Sequence, residues 1–206
     1  MTRLRSVLLA AGIAILAAGS LAAQTKVISM TEDQNVLEFV GQFNNTPTTS
    51  QQFGYVSRIE GLDETFSGNP QSEATALFTF VTNATTDRVI ANGPFRIVNR
   101  TGTTTVYLNT PPSDFTNPAS FSQGTPIQVS NYSQQVVLNT LTNSFVTTHM
   151  NTITETSAFW LNGKRYRLGH VGEKFRTSYS GQSNTPGATP SGWFGGSAVG
   201  ASDCHH

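Results

Sequence analysis

Glu155 and His170 are the two residues of this sequence best spaced to move a proton together. Between them lies Asn162-Gly163, a bare turn flanked on both sides by apolar and aromatic residues. A type I′ hairpin needs φ > 0 at both central positions, which Asn tolerates and Gly adopts freely. Counting outward from that turn opposes Leu161/Lys164, Trp160/Arg165, Phe159/Tyr166, Ala158/Arg167, Ser157/Leu168, Thr156/Gly169 and Glu155/His170. Directly opposed residues share a face. One face then carries Ile153, Phe159, Tyr166 and Leu168, with Glu155 and His170 among them. A carboxylate beside an imidazole fixes its tautomer and favours its protonated form, which suits general acid–base catalysis. The same two residues also make an ordinary cross-strand pair, worth about 0.2–1 kcal/mol. One β-bulge turns either of them to the opposite face.

If the preceding strand runs on without a bulge, Phe145, His149 and Asn151 join that interior. The run from Phe53 to Leu62 alternates strictly, with Tyr55 and Ser57 on one side and Arg58 and Glu60 on the other. Arg58 and Glu60 read as a surface ion pair, and Tyr55 as a hydroxyl for either a cavity or the core. The expected ligand-contacting set is Tyr55, His149, Phe159 and Tyr166, with Glu155 and His170 as the catalytic pair. Trp160 opposite Arg165 reads as a cation–π contact over an exposed indole.

Asp203-Cys204-His205-His206 holds metal-ligand chemistry, but adjacent positions in a tail do not span one tetrahedral site, so no metal site is assigned. Cys204 is the sole cysteine, which rules out an internal disulfide. Neither a nucleophile elbow nor a nucleotide-binding glycine fingerprint occurs, and no cofactor is expected.

The elements that must position these residues read as strands. They are 36–43, 51–62, 74–81, 88–91 with 94–99, 103–108, 126–141, 145–161, 164–171 and 174–179, with turns at Asn92-Gly93, Thr101-Gly102, Thr142-Asn143-Ser144, Asn162-Gly163 and Val171-Gly172. Eight or nine strands joined by hairpins predict an all-β fold, a single antiparallel up-and-down β-barrel of about eight strands, with a β-sandwich as the alternative. The face Val146, Thr148, Met150, Thr152, Thr154, Thr156 is a water-facing threonine ladder, which argues against a membrane barrel. The Pro-rich stretch 109–126 reads as a loop or lid.

Arg3 and Arg5 precede an apolar run from Val7 to Ala18 and small residues up to Ala23. That pattern predicts a cleaved signal peptide at 1–23, hence a secreted or periplasmic protein without membrane insertion after cleavage. The barrel domain is expected at 24–180 and a Gly/Ser/Pro-rich tail at 181–206, with Trp193-Phe194 docking back. Twelve Lys+Arg balance twelve Asp+Glu, so no basic footprint for nucleic acid exists. A homo-oligomer is left open.

The runs Ala74-Thr75-Ala76-Leu77-Phe78-Thr79-Phe80 and Asn92-Gly93-Pro94-Phe95-Arg96-Ile97-Val98 resemble strand-turn-strand runs of secreted dirigent-like proteins, which share the allene oxide cyclase barrel. The resemblance implies a small calycin-like barrel that holds an apolar molecule or steers a cyclisation by shape, without a cofactor. Three functions follow as expectations. The first is an exported lipocalin-like barrel binding a small hydrophobic molecule. The second is a cofactor-free cyclase or isomerase using Glu155 and His170, and the third a structural or adhesive envelope protein. A lumen filled by side chains favours the third.

Overall fold

A computed structural model describes residues 24–30, 35–110 and 112–200. The expected signal peptide and the Cys204–His206 terminus lie outside the described residues. The architecture is all-β. Eight antiparallel strands close into a barrel in the order β2 (Asn35–Asn45), β3 (Thr49–Ile59), β4 (Phe78–Asn92), β5 (Phe95–Leu108), β6 (Thr125–Asn139), β7 (Ser144–Thr156), β10 (Lys174–Ser183) and β11 (Gly192–Gly200), which returns to β2. Each barrel strand pairs with its predecessor, so the topology is up-and-down and the sandwich alternative falls away.

Between β7 and β10 the chain leaves the barrel as a small hairpin, β8 (Phe159–Leu161) and β9 (Lys164–Leu168), and β1 (Lys26–Ile28) pairs parallel to β9. Asn162 and Gly163 take φ 49° and 74°, and the opposed pairs are Leu161/Lys164, Trp160/Arg165 and Phe159/Tyr166. The register read from the turn holds for those three pairs and stops there. The Ser157 amide turns to the Ile127 carbonyl on β6, and β9 spends its free edge on β1.

Two assignments need correction. The barrel does not end at residue 180. β10 runs to Ser183, and β11, inside the supposed tail, closes the cylinder. Phe194 points inward and is buried, while Trp193 faces out, 44% exposed. The Pro-rich loop is no lid over the mouth. It packs on the outer wall, where Thr79 Oγ1 donates to the Phe121 carbonyl (2.8 Å) and Phe115 and Phe121 lie 6.1 and 5.6 Å from the Phe53 ring.

Five inward-facing rings lean over a glycine directly opposite on the neighbouring strand: Phe194 over Gly41, Phe80 over Gly54, Tyr132 over Gly102, Phe145 over Gly181 and Phe43 over Gly192. A ring crossing the strand boundary fills the lumen and covers backbone that glycine leaves bare, the aromatic rescue of strand glycines. At the end opposite the β2–β3, β4–β5, β6–β7 and β10–β11 hairpins, the β1-β9-β8 sheet plugs the barrel. Phe159 packs edge-on against Phe78 at 5.6 Å, and Leu168 is fully buried.

Candidate functional site

The barrel holds a buried polar belt across its waist. Strand alternation sends Gln52 (β3), Gln134 (β6), His149 (β7) and Tyr179 (β10) inward, each under 8% exposed. Their side chains converge on the Tyr179 hydroxyl. That group donates to Gln52 Oε1 (3.1 Å), accepts from Gln134 Nε2 (2.7 Å) and sits 3.0 Å from His149 Nε2. A phenol has one proton, and here it goes to Gln52. His149 therefore donates from Nε2, completing the second lone pair of the phenol oxygen. The Tyr132 ring stacks on the His149 imidazole at 4.4 Å and 9°.

This belt is electrically quiet. Burial, reinforced by the nearby Arg100 guanidinium, pulls His149 down to about 3. Burial pushes Tyr179 up to about 12, against hydrogen bonds that favour its ionised form, and raises Tyr132 further. An acid–base catalyst works best with a pKa near the operating pH. None of these three groups changes charge there, so the belt orients and partitions rather than shuttling protons.

The belt divides the remaining space. On the plugged side lies a cavity of about 50 Å³ among Phe39, Val56, Phe80, Asn151 and Phe175. On the hairpin side lies a recess of about 60 Å³ with apolar walls of Phe43, Val98, Val136, Leu138 and Phe145. Gln52 and Tyr179 line both. Each space holds a few waters at most, against the ~300–1,000 Å³ of a pocket enclosing a whole small molecule. Beside the recess, sharing Phe145 with it, a surface groove of about 600 Å³ runs past Phe95, Val137 and Val146.

Arg100 also lines the recess. It faces inward on β5 between Val98 and Gly102, is 9% exposed, and donates from Nε to Thr86 Oγ1 at 3.3 Å. Burial lowers its pKa. Among the described residues the Lys and Arg ion pairs join Arg58 to Glu38 (3.2 Å) and Glu60 (2.6 Å), as the sequence suggested for Arg58 and Glu60; none reaches Arg100.

The sequence-derived catalytic pair is not assembled. A β-bulge leaves Thr154 without a β6 partner, so Ile153 pairs with Ser130 and Glu155 with Val129. Glu155 is thereby turned out to solvent, and His170 sits exposed in the turn after β9. The carboxylate that organises this corner is Glu173, whose Oε2 accepts the Met30 amide at 3.0 Å. Of the expected ligand contacts, His149 lies in the belt. Tyr55 is on the outer wall, half-buried beside Phe66 (5.9 Å) and Phe115 (6.3 Å). Phe159 and Tyr166 stack at 5.9 Å in the plug, away from the lumenal spaces.

Sequence reasoning passed over Arg100, Tyr132, Gln134, Gln52 and Tyr179. The signal for Arg100 was the alternation Val98, Arg100, Gly102, Thr104, Val106, cut by reading Thr101-Gly102 as a turn. Together, fold and site define a closed eight-stranded antiparallel barrel, ring-filled, with a polar floor beneath one open end. No family model, curated protein or solved structure matches the chain.

Proposed function

We propose that the protein binds a small hydrophobic molecule at the hairpin end of the barrel and acts as a carrier rather than a catalyst. The observation that carries this reading is the recess itself: apolar walls over a floor of hydrogen-bonding groups. One end of a ligand fits the recess, and its body emerges at the hairpin end of the barrel. Exposed Val89, Ile90, Phe95, Leu141 and Val146 cluster on the β4–β5 and β6–β7 hairpins at this end, an apolar rim suited to such a molecule. The dirigent-like runs on β4 and β5 point to the same ligand class, and the basic-then-apolar N-terminal pattern supports export.

A second reading, a structural envelope protein, draws on the smallness of the lumenal spaces. Native mass spectrometry of the mature protein from its own host, followed by organic extraction, separates the two. A copurified apolar molecule of defined mass, lost in Val136→Arg, supports the carrier. An apo mass, with no thermal shift across straight-chain alcohols and acids, supports the structural role.

A further inference from the structure

We infer that the ligand of this recess carries a carboxylate and that Arg100 is its docking group; the inference rests on the carrier reading above. Three observations meet at one place. First, Arg100 is a buried guanidinium without an ion pair among the described residues. Its own hairpin offers one carboxylate, Asp87, whose Oδ1 accepts from Thr101 Oγ1 at 3.1 Å on the solvent side. The groups whose charges act with Arg100 inside the barrel are His149, Tyr132 and Tyr179, which carry no negative charge at neutral pH. A buried charge without a counter-ion is costly, and chains tolerate it where something else completes the pair.

Second, the floor has hydrogen-bonding capacity left over. Gln134, 3% exposed, lines the recess with Oε1 unbonded. Turning the Gln134 amide over presents Nε2 to the recess. Tyr179 keeps the contact by sending its proton to Gln134 Oε1, and the Gln52 amide turns over in step, so that its Nε2 donates to the Tyr179 oxygen in place of the bond it now accepts. The floor then offers an anion a guanidinium and an amide donor.

Third, the size is selective. A recess of about 60 Å³ admits a planar carboxylate and the first carbons behind it, and little more. The guanidinium fork matches the two oxygens of a carboxylate, which makes the contact bidentate.

Calorimetric titration of the full mature chain with decanoate, 1-decanol and acetate at pH 7 tests this. Wild type is expected to bind decanoate at least tenfold more tightly than 1-decanol, with acetate weaker than either because it lacks the tail. Arg100→Met is expected to bring decanoate down to the 1-decanol level and leave 1-decanol unchanged. Equal affinities for decanoate and 1-decanol in the wild type overturn the inference while leaving the carrier reading intact. Decanoate binding that survives Arg100→Met also overturns it. If none of the three binds, the carrier reading fails and the inference with it. The wild-type comparison decides the matter even if Arg100→Met does not fold.

Discussion

Tyr132 lies over Gly102, its directly opposed partner on β5, so closely that a Cβ on Gly102 would stand 2.7 Å from the Tyr132 hydroxyl. The pair ties two facts together. Gly102 is a strand residue because a ring occupies the space of its side chain, and Tyr132 is thereby held flat against His149.

Gly102→Ala is accordingly expected to destabilise the fold by about 1–3 kcal/mol, the usual cost of overpacking. The added methyl also meets the Asn83 carbonyl, so relief by Tyr132→Ala is partial. Chemical denaturation of both single variants and the double variant gives the coupling. Strict additivity of the two changes would show that ring and glycine do not share that space.

The same relationship explains what was legible. Threonine-rich alternation and hairpin spacing were enough for an eight-stranded antiparallel barrel, and type I′ turn chemistry at Asn162-Gly163 for the small hairpin beside it. They were not enough for the faces. Gly102 looked like a turn and Gly192–Gly200 like part of a tail, because glycine is a poor strand former when considered alone. Only the opposing ring makes it a good one, and the ring sits on another strand. The site suffered from the same limit. A single unpaired residue, Thr154, moved Glu155 from the interior to solvent, and local sequence does not announce a bulge.

His149 makes stability depend on pH. Its folded-state pKa, near 3, lies below the 6.5 of an exposed imidazole. The unfolded chain therefore takes up a proton first as pH falls, while the native barrel does not. The stabilisation from this site is complete above pH 6.5 and is lost progressively towards pH 3, at about 1.4 kcal/mol per pH unit. Urea titrations at pH 7, 5.5 and 4.5 should show that slope in wild type and a shallower one in His149→Gln. Parallel slopes would mean that the imidazole is not buried as described.

Arg100→Met carries an opposite expectation for stability and function. Replacing an unpaired buried charge by an apolar side chain of similar length is expected to stabilise the ligand-free barrel by about 1–4 kcal/mol. A thermal midpoint that falls would indicate that Arg100 is a structural group, satisfied within the chain.

Glu155→Gln and His170→Asn test the separation of the sequence-derived pair. Both side chains are exposed and on different elements. Each change should move the thermal midpoint by less than about 2 °C, as surface substitutions do, and leave decanoate titrations as in wild type. A loss of binding in either variant would relocate the site to the corner near Glu173.

Deleting residues 184–206 asks whether β11 belongs to the barrel or trails behind it. Through all nine of its residues β11 pairs with β10, and along most of that length with β2. It also supplies Phe194, whose ring lies 4.8 Å from Tyr179 and 6.3 Å from Phe80. Without it two long strands present open hydrogen-bonding edges, and the core loses a buried ring. Open, apolar-faced edges pair with one another between molecules. The truncated chain is therefore expected in the insoluble fraction, or as an assembly larger than that of the full chain by size-exclusion chromatography. Adding residues 184–200 back as a separate peptide is expected to restore the elution volume of the full chain, because the missing strand has an edge waiting on each side. A truncated chain that stays in the assembly state of the full chain, with an unchanged thermal midpoint, would put the domain boundary back at residue 180.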